Sequence, residues 1–590
     1  MKSRKFHFVI TFFLIIISLF GGLSACQHTD KINSASSDTN ISSTSEMVSF
    51  ADYTKLLFAQ DVKKDTLSLH YTLSDPAASG ITDYAISLPD YSKKEAARSA
   101  LHIENMTSAL SSYSYDSLTP DEQLTYDILT DYTDSCKKSR DFYLNQEILR
   151  PSTGFPAQLP VLLSEYHFYN RQDVKDYLTL LKEIPGCFAS ICAFEEAKSE
   201  AGLFMPDAQA DTLIADINTL CDTSKEHYLI ATFRNRINAL SGLTYEEKED
   251  YCRQNEELFR SCILPAYEEI SKTLAALKGT GTNDAGLCYY PKGLDYYTQL
   301  VYNSTGSSRS VDELLTMTEA KRMEDMSAIA SLAKEYPKIS LAVSDYPLAG
   351  ASPEEILTYL TTAVTDRFPA PSATDFSVNY VDACMQESMA PAFYLTAPMD
   401  NLAHNVIYIN PAGHMEGVEL FTTLAHEGFP GHLYQTTATA CANLAPIRHL
   451  MNYPGYVEGW ATYVEILSYS YLGLPKEQTS LLMHNQSALL SLYATADLSI
   501  HGKGWTLSDL SNFFAGYGIR DEKTVLDIYR YIVSEPAHYL KYYIGYLEFL
   551  DLKKEAQETL GDKFNEQEFH EQILKIGPAP FEILRKYLLQ

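Results

Sequence analysis

The chain has 590 residues, 45% of them hydrophobic, and a formal net charge of −30. So acidic a surface argues against nucleic acid and against electrostatic adhesion to anionic lipid. Its ten cysteines are scattered and show no paired Cys-x-x-Cys spacing. A cysteine-built metal site is therefore disfavoured, buried free thiols are the simpler reading, and any disulfide pairing stays open.

The first elements are targeting signals rather than fold. Lys2, Arg4 and Lys5 precede an apolar run, Phe8–Phe20, of signal-peptide length. The run ends in "LSAC", Leu23 to Cys26, which resembles the lipobox of bacterial lipoproteins. That resemblance implies a signal peptide over 1–25 and lipid carried on Cys26. Residues 26–48 are rich in Ser, Thr, Asn and Asp with few large apolar groups, so they read as a flexible tether. No second low-complexity linker follows, and residues 49–590 read as one large domain, with room for two lobes.

Helical grammar then repeats along the chain. Apolar spacings of three and four recur in 173–202. The segments 119–144, 310–337, 352–364, 506–518 and 521–536 each open on Thr, Ser or Asp followed by acidic residues, the pattern of an N-cap. Strand signals are few. The best is "NVIYIN", Asn405–Asn410, with "PAFYLTAP", Pro391–Pro398, as a possible partner. As an edge strand, the first could pair with an extended peptide. His404 and His414 flank it. The expectation is a mostly α-helical domain with a small β-sheet close to the motif that follows.

That motif is "LAHEGFPGHLYQ", Leu424–Gln435. A hydrolytic zinc site uses three protein ligands and leaves one position open. Two histidines on one helix normally sit four apart, because four residues turn it about 400°. His426 and His432 are six apart, and six residues turn a helix about 600°, leaving side chains roughly 120° apart. The intervening Gly428, Pro430 and Gly431 permit a bulge or kink that brings both imidazoles to one ion. A third ligand is expected from an acid on a following helix. "YPGYVEGWATYVEIL" supplies Glu458 and Glu465, two turns apart on nearly one face. Glu458 is favoured because Gly459 beside it allows close approach, and Glu465 suits an outer, supporting acid. Glu427 adjoins a ligand and can take the proton of the attacking water and return it to a leaving amine. Further on, Asp497 and His501 share a helix face at i, i+4 and offer a group for the oxyanion.

The blocks "HEGFPGHLYQ", "YVEGWATY", "ADLSIHGKGW" and "SEPAHYLKYYIG", in this order, with "GLCYYPKGLDYYTQLV" upstream, resemble the bacterial domain-of-unknown-function 885 family. That family is grouped with helical zinc metallopeptidases such as carboxypeptidase Taq and thimet oligopeptidase. The resemblance implies a large two-lobed helical metallopeptidase-like domain with zinc on His426, His432 and Glu458 and with Glu427 as acid/base. It also places Tyr542 on the family's tyrosine, whereas Tyr543 stands where lysine is common. The expected activity is that of a zinc-dependent peptidase, carboxypeptidase-like or oligopeptidase, acting on peptide substrates outside the membrane. Cobalt or manganese could replace zinc in such a ligand set. Exopeptidase action would need a cation for the terminal carboxylate, for which Arg448, Lys503, Arg520 and Lys541 are candidates. Two alternatives share the anchor: a peptide- or metal-binding lipoprotein without catalysis, and a zinc amidase acting on cell-wall peptides. Oligomeric state is not legible.

Overall fold

Local capping sets most helix starts. Thr119, Ser310, Ser352 and Thr506 each accept a hydrogen bond from the third residue of their helix, whose Glu or Asp bonds back to the cap. Such caps stabilise a helix by about 1 kcal/mol each. They open Pro120–Ser139, Val311–Glu335, Pro353–Ala363 and Leu507–Gly516, as the sequence pattern predicts. A computed structural model describes residues 48–381, 386 and 389–589. Cys26, the signal peptide and nearly all of the tether lie outside the described residues, as does Cys384. The other cysteines downstream of Cys26 are free thiols.

The architecture is mostly α-helical. Apolar residues gather in two large cores and a smaller third. The first core joins Phe50, Leu57 and Phe58 near the start of the chain to Phe421, Leu424, Trp460, Val464 and Ile544 of the motif helices. The second forms around the long helix Arg171–Glu200 and the helix Leu264–Leu277. In the third, Leu510, Phe514, Val525 and Ile532 fold back on Leu492, Ala496 and Ile500.

A three-stranded sheet divides the two large cores. Strands β1 (Ser377–Tyr380), β2 (Ala392–Leu395) and β3 (Val406–Ile409) lie in the order β1-β3-β2. β3 pairs parallel with β1 and antiparallel with β2, Tyr394 standing opposite Ile407. Alternation assigns the faces. Tyr394, Ile407 and Ile409 join the first core, whereas Phe393 joins the second and stacks on Tyr408. One expectation is corrected here. "NVIYIN" forms the central strand, already paired on both sides, and the edge beside the motif belongs to β2.

Helices Pro454–Ser468 and His538–Leu560 approach backbone to backbone. A Cβ on Gly459 would stand 2.5 Å from the Gly545 carbonyl carbon, and one on Gly545 would stand 2.3 Å from the Gly455 oxygen. Only glycine fits at these contacts, and the close approach brings the acids of one helix beside the polar face of the other.

Candidate functional site

The motif does not form one kinked helix. Gly417–Glu427 ends at Glu427, and a second helix, His432–Cys441, starts at His432. Between them the Phe429–Pro430 peptide is cis. The reversal is so tight that a Cβ on Gly431 would lie 1.8 Å from the His426 carbonyl oxygen. Trp460 donates its indole N–H to the Pro430 carbonyl at 2.8 Å and holds the turn from the next helix. A full helix break thus does what a bulge was expected to do, and it brings the two imidazoles to a ring separation of 4.7 Å.

Pro454–Ser468 supplies the acids. Glu458 Oε2 lies 3.6 Å from His432 Nε2 and 3.9 Å from His426 Nε2. Ligand atoms of all three residues fall within 4.8 Å of one another, and all three side chains are buried. Tetrahedral zinc with bonds near 2.0–2.2 Å separates its ligand atoms by roughly 3.4 Å. The two imidazole–carboxylate separations lie within about 0.5 Å of that spacing, and two imidazoles with one carboxylate are donors that zinc takes. His432 Nε2 and Glu458 Oε2 are buried without a hydrogen-bond partner, while Glu458 Oε1 faces the Lys541 ammonium at 3.3 Å. Buried polar atoms are ordinarily satisfied, so this cluster fits a cation. Glu465 Oε2 bonds His426 Nδ1 at 2.9 Å, which turns Nε2 toward Glu458. Gln486 in turn donates to Glu465 Oε1 at 3.1 Å.

The charges have unequal environments. Burial opposes ionisation of Glu458, but Lys541, His432 and His426 outweigh it and bring its carboxyl down to about 2. Burial pushes Glu427 up to about 8, with Glu458 and Glu465 adding to the rise and His426 opposing it. Glu427 Oε2 accepts the Tyr394 N–H of β2 at 2.9 Å. Burial lowers His432 to about 4 and also opposes the charge on His426, yet the bond to Glu465 and the nearby acids raise His426.

The helix His538–Leu560 brings His538, Lys541 and Tyr542 to the same place, on one face by their i, i+3, i+4 spacing. Lys541 Nζ lies 3.3 Å from Glu458 Oε1 and stands over the Tyr542 ring. The Tyr542 ring is 6.5 Å from that of His426 and 5.6 Å from that of His538. A cavity of about 660 Å³ opens from Glu458, His538 and Lys541 toward the second core, where Glu147, Arg150 and Phe155 line it.

Several expected residues lie elsewhere. His501 is a correction. Its Nε2 bonds the Ile532 carbonyl at 2.9 Å and its Nδ1 accepts the Leu287 N–H at 3.1 Å, so neither ring nitrogen is available to an oxyanion. Asp497 does not pair with it. Asp497 accepts the Tyr297 hydroxyl at 2.6 Å and the Ala537 N–H at 3.1 Å, and so fixes the left-handed residue that opens the His538 helix. Tyr543 turns away from the cluster toward Ser487. Arg448 is buried against the carbonyls of Ile576 and Pro578, while Lys503 and Arg520 are exposed. His404 and His414 are exposed as well. The Tyr394 N–H and Arg150 carry no signal in the sequence that ties them to the motif. His538 and Lys541 do, through their spacing from Tyr542.

No curated protein matches the sequence. Two solved structures share the fold, and both are described as a "putative lipoprotein". The one from Colwellia psychrerythraea is 19% identical, with a TM-score of 0.77 over 92% of this chain and 99% of that one. The one from Shewanella oneidensis, of unknown function, is 16% identical, with a TM-score of 0.63 over 92% and 100%. With its profile matched over residues 76–588, the chain belongs to the family described as bacterial protein of unknown function, DUF885.

Proposed function

We propose that this chain is a zinc-dependent peptidase, carboxypeptidase-like or oligopeptidase, tethered by lipid on Cys26 outside the bacterial membrane. The observation that carries the reading is the convergence of His426, His432 and Glu458, with the adjoining Glu427 carboxyl held by the Tyr394 N–H. A structural zinc is usually closed by four protein ligands, and among the described residues the cluster offers three. "LSAC" and the lipoprotein description of the two structural neighbours support the anchor.

His426, His432 and Glu458 would hold the ion, with Glu465 fixing the His426 ring. A zinc ion there supplies a Lewis acid that polarises a carbonyl and lowers the pKa of water toward about 7. Glu427 does the proton work. The Tyr394 N–H holds its Oε2 and leaves Oε1 to accept a proton from the water that attacks the amide carbon. The same carboxyl then delivers that proton to the departing amine as the C–N bond breaks, giving an acid and an amine. Tyr542, whose ring lies 6.5 Å from that of His426, would donate its hydroxyl to the carbonyl oxygen as that oxygen gains charge.

The test is Glu427→Gln together with chelation. Peptide hydrolysis by the wild-type chain should stop on chelation and return with zinc. Glu427→Gln should bind zinc as the wild type does and lose turnover by at least about 100-fold. Turnover at the wild-type rate in Glu427→Gln would remove the mechanism. Peptide binding without cleavage in the wild type would favour a capture lipoprotein.

A further inference from the structure

The cavity that reaches Glu458 holds a guanidinium with no counter-ion. Arg150 lines it, and among the described residues no carboxylate lies within 4.0 Å of its nitrogens. Arg150 is half-buried, and its Nε is buried and makes no hydrogen bond; Asp65, Asp131 and Glu147 line the same cavity but form no ion pair with it. Arginine keeps its charge at every accessible pH, so its partly desolvated head cannot lose a proton to escape that cost. Buried charges are ordinarily paired. The other inner cation, Lys541, is held by Glu458. Lys64 and Arg98, which also line the cavity, are exposed.

The loop that carries Arg150 is built, not merely allowed. Glu535, fully buried, accepts the N–H groups of Ser152 at 2.8 Å and Thr153 at 3.1 Å, and the Thr153 hydroxyl at 2.6 Å. Glu535 stands three residues before His538 in the "SEPAHYLKYY" block. Thus the block that faces Glu458 also straps the Arg150 loop. Gly154 closes the loop so tightly that a Cβ there would lie 2.5 Å from Arg150 backbone nitrogen and oxygen. The Arg150 charge also lowers the His538 imidazole, behind burial and Lys541, which puts it within electrostatic reach of the cluster.

We propose that Arg150 is the receptor for a substrate carboxylate, held in the cavity on the Glu458 side of the scissile bond. The inference rests on the peptidase reading and names its substrate class: peptides that present a carboxylate to this cavity. A free C-terminus and an acidic side chain offer the same group, and a guanidinium binds either through paired N–H donors. Arg150 positions substrate and takes no part in bond breaking.

The test separates binding from turnover. Calorimetry on the full chain carrying Glu427→Gln compares a blocked-N-terminus tripeptide bearing a free C-terminus with its C-terminal amide. A second pair of amidated peptides differs by Glu against Gln. A carboxylate bound by Arg150 should favour the acid member of one pair by roughly 10–100-fold, the range for hydrogen bonds to charged groups. Adding Arg150→Met should bring that ratio near one. Arg150→Lys, which keeps charge and bulk, should restore part of it and guards against a misfolded Met variant. The pair that discriminates identifies the source of the carboxylate. No discrimination in the Arg150 protein, or discrimination unchanged in Arg150→Met, overturns the inference. Turnover by the native chain reports on the other reading. Cleavage without carboxylate preference sinks the receptor and keeps the peptidase. Preference in binding without any cleavage keeps the receptor and sinks the peptidase.

Discussion

Gly431→Ala tests whether the reversal between the two histidine helices is what assembles the cluster. The new methyl would lie 1.8 Å from the His426 carbonyl oxygen, 2.4 Å from its carbon and 2.5 Å from the Ala425 oxygen. All three are backbone atoms, so no side chain can swing aside. Ordinary contact starts near 3.4 Å, so the helix ends must part by roughly 1.6 Å. Forcing extra volume into a packed site costs about 1–3 kcal/mol. At about 2.1 cal/mol/K per residue over some 540 residues, that lowers the melting temperature by only about 1–3 °C. The metal should respond far more. His432 is the first residue of its helix and moves with the displaced end, so one ligand of three leaves its position. Loss of a supporting partner alone costs about 10–100-fold in affinity, and a displaced ligand should exceed that. Competition with a chelator of known affinity, alongside thermal unfolding, reads both effects. Wild-type zinc affinity in a folded Gly431→Ala protein would refute the claim that this close approach sets the histidine geometry.

Three further outcomes are expected. Glu465→Gln should weaken zinc binding about 10–100-fold, because His426 loses the carboxylate that fixes its ring, and the same chelator competition reads it. Trp460→Phe leaves the buried Pro430 carbonyl without its donor and should cost about 1–3 kcal/mol in urea unfolding, with zinc affinity falling as the turn loosens. The third concerns pH. Burial lowers His501 to about 4, against an unfolded value near 6.5. Between those values the unfolded chain holds the extra proton, so stability falls as pH drops from about 6.5 to 4, by about 3 kcal/mol for this group. His501→Gln should flatten that slope by up to about 1.4 kcal/mol per pH unit. An identical slope in the variant would show that His501 is protonated alike in both states.

What the sequence reveals follows from how local each determinant is. Capping residues announce themselves within four positions, so Thr119, Ser310, Ser352 and Thr506 could be read directly. The convergence of His426 and His432 was legible because Gly, Pro and Gly between two histidines is itself a statement about backbone shape. The Asp497–His501 pair misled for the opposite reason. Spacing at i, i+4 shows that two side chains share a helix face but not what packs on that face, and here the Leu287 N–H and the Ile532 carbonyl occupy the imidazole. β3 was found as a strand and misplaced as an edge, because pairing on both sides depends on β1, which gives only a weak local signal. Arg150 reaches its place by a strap from Glu535, 385 positions away in the chain, and no short-range pattern encodes it.

The glycine contacts of Gly455 and Gly459 with Gly545 have a mechanical consequence. Two helices in backbone contact cannot slide past each other without collision, so Glu458 and Glu465 travel with Lys541 and Tyr542 as one stiff plate. A substitution that forces the two helices apart would therefore disturb both sets of groups at once. Changes of selectivity are easiest to make outside the plate, where residues can be exchanged while these side chains keep their spacing.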